Sequence, residues 1–463
     1  MAFPGDAKER RVFHRFQVRT IPAFAGSSEL DFWENLVLKV GQQEPVVRNA
    51  IVALGTLHED YQKRNGKYSQ DMIADPSYQQ ALSLYGKALR QLNQRLFEGN
   101  SSSAKLALIS SILFTCFEVL RRNNMSAIIH YQAGMRELTR QIKTTRENDM
   151  TSFQSSPTVT EFRAIPQDEL DVLLRVFARY DVQACTFAKP RAEALAVNLP
   201  LPPPAVMTLS QVKMHLDNLL ISIYQFIKSD LAMYRYWPVS AVPSDWLLRR
   251  DGALTTFETW LTAIESFFQH PPNPTSTTNP LILRAQESKP LLGLRMQVRV
   301  GLILLKTSIA TPAETAFDAF LPDFDDMVTR IESLADSLAL PPAQPLDNES
   351  TTFTMELGIL HPLFFVAIKC RDWGVRRRAI AALKRGGREG VWEGPIVAVV
   401  AEWVARLEEA GVEVGACIPE EKRLHEVRKD VDYEGRRVLV EATRSTDLVA
   451  WKAWAVVRES VPF

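Results

Sequence analysis

The stretch EPVVRNAIVALGTLHEDY, from Glu44 to Tyr61, decides the fold class. Val47, Ile51 and Leu54, with His58 and Tyr61 on the same line, recur at three and four positions. That spacing lays one apolar stripe down an α-helix. Pro45 stands where a first helical turn tolerates a missing N–H donor. Just upstream, SSELDFW (Ser27 to Trp33) places Asp31 three residues after a serine, a capping-box-like helix start. The same period predicts further helices over 76–98, 104–122, 125–145, 168–186, 208–236, 249–269, 280–309, 312–338, 353–372, 374–386 and 393–410. Only near the end does the period change. Arg437 to Ala442 and Leu448 to Val457 alternate Val, Leu and Trp around the turn-like Arg444 to Asp447, which predicts a terminal β-hairpin. The expected architecture is all-α: an irregular multi-helix array with a small C-terminal β-hairpin.

Four proline- or Ser/Thr-rich segments interrupt the helices: residues 146–166, Lys189 to Thr208, His270 to Pro280 and Leu340 to Ser350. Composition does not change across them, so they read as loops between packed helices of one domain spanning 1–463.

Apolar residues make up 46% and charged residues 23%, the mixture of an ordinary globular protein. Fifty-four basic residues balance 54 acidic ones, so no overall field draws the chain to a polyanion or an anionic membrane. The opening MAFPGDAKERRVF lacks the apolar run of a signal peptide, and the longest uncharged candidate span, Leu106 to Phe117, stops at Glu118. No membrane partner is expected, and the protein is placed inside the cell. Cys116, Cys185, Cys370 and Cys417 are far apart in apolar or mixed surroundings, which suits reduced core thiols rather than a disulfide framework or a structural zinc site.

Enzyme signatures are absent. No G-x-S-x-G elbow, phosphate-cradling or dinucleotide-type glycine loop, or H-E-x-x-H helix occurs. The S-x-x-K patterns at Ser102 to Lys105 and Ser210 to Lys213 fix only two positions and arise by chance. His58, Glu59 and Asp60 form the densest acid/base cluster, but consecutive helical residues point apart. The expectation is His58 at the core edge with Glu59 and Asp60 solvated, and His361, before Pro362, as a structural histidine. Arg371, Arg376, Arg377, Arg378, Lys384, Arg385 and Arg388 crowd into eighteen positions with one acid, Asp372. That could form a phosphate-binding face or an import signal. However, Ala379, Ile380 and Leu383 make the segment an amphipathic helix with a polar outer face, and no aromatic residues are interleaved for base stacking. Trp373, Trp392 and Trp403 read as packing residues. No catalytic, cofactor-binding, metal-binding or DNA-binding residue is assigned, and an enzyme is not expected.

DFW at Asp31 to Trp33 and the opening stretch at Glu44 to Tyr61 are followed in order by YGKAL (Tyr85 to Leu89), LFTCFEVLRRN (Leu113 to Asn123) and HYQAGMREL (His130 to Leu138). Near the other end stand CRDWGVRRRAIAALKRGGREGVWEG (Cys370 to Gly394) and IPEEKRLHEVRKD (Ile418 to Asp430). Together these blocks resemble the C-terminal regulatory domain of fungal zinc binuclear-cluster (Zn2Cys6-type) transcription factors. The resemblance covers core blocks 24–145 and 350–430 and leaves a variable middle, 150–350. It implies a regulator of the nucleus, or of nucleus and cytoplasm both, whose helical region governs activity, dimerisation or response to a small-molecule effector or protein partner.

The family's six zinc-binding cysteines have no counterpart here, since the first cysteine is Cys116. No zinc-cluster DNA-binding domain, zinc cofactor or direct sequence-specific DNA contact is therefore expected of these residues. The alternative is an interaction protein or co-regulator that acts through protein partners without binding DNA. A smaller departure is Arg122, where the family often has glycine, so Asn123 or Asn124 is expected to take the left-handed cap.

Overall fold

Glu44 is extended and Pro45 opens a 19-residue helix to Lys63, so the stretch that predicts a helix is one. A computed structural model of the chain describes residues 4–25, 30–66, 72–98, 103–149, 168–187, 209–269, 280–309, 313–338, 353–449, 451 and 453–463. The four expected connections lie largely outside these residues. The chain divides into two compact units, one of Met1–Asn198, Thr208–Ser222 and Glu349–Glu356, the other of Leu199–Met207, Ile223–Asn348 and Leu357–Phe463.

The first unit contains α1 (Ala7–Arg15), α2 (Ile21–Ala25), α3 (Leu38–Gln43), α4 (Pro45–Lys63), α5 (Pro76–Glu98), α6 (Ser103–Leu120), α7 (Asn124–Asp149) and α8 (Glu169–Phe187). It also holds the residues up to Ser222 of α9 (Leu209–Gln225) and the short strand β1 (Phe353–Thr354). The helix start expected at Ser27 falls partly outside the described residues, and from Asp31 to Val37 the chain is π-helical. A complete capping box instead opens α1, where Asp6 and Glu9 exchange side-chain and backbone hydrogen bonds.

At the centre of this unit α4 and α6 pack together, α4 also meeting α1 and α5, and α6 meeting α5, α7 and α8. By length and composition α6 could cross a bilayer, yet it is largely buried within the unit. Its apolar character is that of a core helix touched from several sides. Gly134 lets α7 approach closely, for a Cβ there would stand 2.2 Å from Ser111 Oγ and 2.6 Å from Phe177. Between α6 and α7 it is Arg122 itself, not Asn123 or Asn124, that takes the left-handed conformation, with φ of 66°. Asn123 instead caps α7, its Oδ1 accepting from the Ser126 N–H at 3.2 Å.

The second unit contains α10 (Ser244–Gln269), α11 (Pro280–Lys306), α12 (Leu321–Leu338), α13 (Leu360–Lys369), α14 (Trp373–Arg385) and α15 (Gly394–Glu409). A 3-10 helix, Glu314–Phe320, leads into α12. The helix expected over 353–372 begins only at Leu360, and Phe353–Thr354 is extended. Phe353 packs against Phe24 and Tyr61, with ring centroids 5.0 and 5.7 Å away, and the Met355 N–H donates to the Ala23 carbonyl. Tertiary contacts thus hold the segment away from helical geometry. The start of α13 is set by Glu389, whose carboxylate accepts the N–H groups of Gly358, Ile359 and Leu360 at 3.0, 3.1 and 2.9 Å. Three otherwise orphaned donors are satisfied by one side chain from a distant hairpin. In that hairpin β2 (Arg388–Glu389) pairs antiparallel with β3 (Trp392–Glu393), and Gly390 supplies the left-handed turn at φ 56°.

The terminal β-hairpin is present and larger than its sequence signal. Strand β5 (Arg437–Ser445) pairs antiparallel with β6 (Trp454–Pro462), and β4 (Val427–Asp432) adds a third strand on the other edge of β5. Val438, Val440 and Ala442 are fully buried, and β5 and β6 rest on α15. The sequence VRKDVD of β4 hides its alternation, since charged residues occupy both kinds of position.

Candidate functional site

The basic cluster of 371–388 is not an open cationic face. Arg371 and Arg376 are buried, and both bind Glu408, at 2.9 and 2.6 Å. Arg377 bonds to Glu409 at 3.0 Å, Arg378 reaches Asp325 and Glu332 at 2.6 Å each, and Lys384 meets Glu402 at 2.6 Å. Arg388 is buried beneath its hairpin, with its Nε donating to the Gly390 carbonyl at 3.1 Å. Arg385 is exposed. The charges that suggested phosphate binding are thus largely neutralised by carboxylates from α12 and α15.

Glu314, at the start of the 3-10 helix, forms the centre of the buried network and is 0% exposed. Lys369 Nζ stands 2.7 Å from its carboxylate, Arg235 3.0 Å and Arg371 3.1 Å, with His425 at 3.8 Å. Burial opposes the charge, but Lys369, Arg371, Arg235 and His425 hold the carboxyl down at about 2. Arg371 bridges Glu314 to Glu408, which also accepts the Leu424 N–H at 2.7 Å. Burial likewise opposes the Glu408 charge, and Arg371 and Arg376 keep its carboxyl below the ordinary value.

The segment Ile418 to Asp430 closes over this centre. Glu420 accepts the backbone N–H groups of Glu314 and Thr315 at 2.9 and 2.8 Å, and His425 Nε2 lies 3.2 Å from it. Arg423 makes a fork to Asp318, with both bonds 2.7 Å long, and donates to the carbonyls of Ile418 and Glu314 at 2.9 and 3.2 Å. Both blocks quoted from the chain's later part therefore dock on one helix through charge-assisted hydrogen bonds.

Beside the network opens a cavity of about 260 Å³. Phe317, Leu321, Phe324 and Trp373 form its apolar wall, and Cys370 and Cys417 both contribute to its lining, although 47 positions separate them. The cysteines are not all core residues: Cys116 and Cys370 are buried and Cys185 is half-buried, whereas Cys417 is exposed on the loop after α15. That loop turns on Gly411 and Gly415, at φ 67° and 84°, and leaves Cys417 outside the packed helices. Burial pushes the Cys370 thiol up to about 11.

The fungal-specific transcription factor domain, as a family, matches residues 11–241. The chain belongs to that family. One curated protein, the aspercryptin biosynthesis cluster-specific transcription regulator atnN of Emericella nidulans, is 42% identical over 76 residues. The aligned segment is 16% of this chain and 12% of that regulator, so the likeness spans about an eighth of the relative's length. No solved structure matches. The family domain covers the α4–α7 core of the first unit, whereas the cavity and, apart from Arg235, the Glu314 network lie beyond the matched residues.

Within the family domain the His58 cluster differs from its expected arrangement. His58 is buried, its Nδ1 3.0 Å from Thr20 Oγ1 and its ring edge-on to Phe24. Glu59 and Asp60 are not solvated but buried as well, Glu59 bonded to Arg11 at 3.1 Å and Lys63 at 3.0 Å, Asp60 to Arg64 at 3.0 Å. Packing of α1 and α4 covers the face that a lone helix would expose. His361 is a buried structural histidine, its Nδ1 3.0 Å from Gln297 Oε1 and its ring against Trp392. Trp392 and Trp403 are buried, and Trp373 is half-buried at the cavity wall. Among the described residues no group of three or more His, Cys, Asp or Glu is placed to hold a metal ion.

Burial, with Arg15 nearby, pushes His58 down to about 4, and burial with Lys228 pushes His361 down to about 3. In the unfolded chain both titrate near 6.5. As pH falls below that value the unfolded state takes up protons that the folded state refuses, so stability falls with pH. The loss should be on the order of 3 kcal/mol for His58 by pH 4. Thermal unfolding across this window should show a shallower pH slope for His58→Gln than for the native chain, and equal slopes would sink the assignment.

Proposed function

We propose that the protein is a transcription regulator of the fungal zinc-cluster type, with residues 1–463 acting as its regulatory region. The match of the family domain over residues 11–241 carries this reading. The relative atnN, named as a cluster-specific transcription regulator, supports it. DNA contact by a module outside these residues, or by a partner, fits the balanced charge and the ion-paired arginines of α14. The work of the region is control of activity, through protein partners, a second copy of the chain or a small effector, and the nucleus is where it acts. Catalysis is no part of this reading.

Two measurements test it. Fused to an unrelated DNA-binding domain, residues 1–463 should change expression of a reporter carrying that domain's sites, and a fusion indistinguishable from the bare domain would count against a regulatory region. The purified chain alone should give no sequence-specific shift of duplex DNA. A specific complex that weakens steeply with salt would instead locate phosphate and base contacts in this chain.

A further inference from the structure

The cavity beside α14 combines three features that packing alone does not require. Its wall is built from Phe317, Leu321, Phe324 and Trp373, and its lining includes both Cys370, which is buried, and Cys417, which is exposed. Arg423 Nη2 faces the Cys417 sulfur at 3.8 Å, so a hydrogen-bond donor already stands beside it. An apolar cavity of about 150 Å³ accepts benzene, so 260 Å³ accommodates one aromatic ring with a short side chain. The polar groups at the edge are already engaged: Arg423 with Asp318, Arg371 with Glu314 and Glu408, and Trp373 Nε1 with the Ala416 carbonyl at 3.0 Å. The exposed Asp372 also lines the cavity, its Oδ1 accepting the Val375 N–H at 2.9 Å. A flat, neutral ligand gains burial of its ring against the aromatic wall.

We propose that this cavity binds a small aromatic α,β-unsaturated carbonyl compound and that Cys417 captures it covalently. The Cys417 sulfur lone pair forms a bond to the β-carbon, the C=C π bond breaks, and the proton lost from the thiol returns at the α-carbon. Atoms and electrons balance without an oxidant. The adduct sits on a loop tied at Ala416 to Trp373 and at Ile418 to Arg423. Capture therefore loads both the start of α14 and the side chain that holds Asp318. This deepens the regulatory reading with an effector class, but labelling of the purified chain tests the cavity and the reporter tests transcription, so the two can fail separately.

The probe is benzylideneacetone, with the full chain labelled at neutral pH and the adduct located by peptide mass spectrometry. Cys417 should be labelled ahead of Cys116, Cys185 and Cys370, and Cys417→Ser should remove that adduct. Benzylacetone, the saturated analogue, should protect Cys417 of the native chain from benzylideneacetone. A cavity-filling Leu321→Trp should slow this labelling by about tenfold while leaving iodoacetamide labelling of Cys417 unchanged. If Leu321→Trp does not fold, protection by benzylacetone decides alone. Labelling of Cys417 that benzylacetone leaves untouched would mean an exposed thiol only and overturn the proposal, as would labelling no faster than at Cys185.

Discussion

Replacing Glu314 by glutamine should lower stability by about 3–5 kcal/mol, the cost of removing one partner from a buried ionic network. Glutamine preserves the shape and removes the charge. Lys369, Arg235 and Arg371 then surround a neutral amide at a fully buried position, and of their ion pairs among the described residues Arg371 retains the one to Glu408. The pH dependence carries a definite sign. The ordinary carboxyl value is 4.5 and the folded one about 2. Glu314 therefore contributes its full stability above 4.5 and loses it as pH falls toward 2. Urea unfolding at pH 7 should show the full deficit of the Glu314→Gln chain, and the gap to the native chain should close as the pH is lowered toward 2. A small deficit, independent of pH, would mean that the cations are compensated elsewhere.

Trp33→Ala should have an effect of similar size in the first unit, about 3–5 kcal/mol for deletion of a large core aromatic. Trp33 is 0% exposed and packs against Phe16, Phe24 and Phe32 with ring centroids 6.1, 6.0 and 5.1 Å away. Its neighbours come from three separate positions along the preceding chain, so the void left by alanine cannot be closed by moving one side chain. Trp33→Phe keeps one ring in the cluster and should cost well under half as much. Near-equal unfolding midpoints for the alanine and phenylalanine variants would show that the cluster collapses freely around the gap.

The helical class was legible because it rests on local chemistry. The stripe from Val47 to Tyr61, Pro45 at a first turn and the apolar run of α6 each speak for themselves within a few residues. Some boundaries held, as at Pro76 and Glu98 of α5, whereas the helix expected from 249 begins at Ser244 and the one expected from 312 becomes α-helical only at Leu321. They failed at 353–359, where Phe24, Tyr61 and Glu389 supply the deciding contacts from elsewhere in the chain. Strand β4 escaped notice for the same reason, since its pairing with β5 rather than its own pattern makes it a strand.

The candidate site was legible only as fragments. The arginines of α14 and the segment from Ile418 to Asp430 stood out, but Glu314 lies in the variable middle with no motif around it. Cys370 and Cys417 read as unrelated thiols. By itself the sequence determined the all-helical class, the family and the absence of a zinc-cluster cysteine pattern, because periodicity and ordered blocks are properties of the chain. The tertiary structure alone decided that the basic cluster is largely ion-paired, that Glu59 and Asp60 are buried and that two distant cysteines line one cavity. Charge compensation and burial depend on which residues meet in space, and that is fixed by packing over separations that local patterns do not encode.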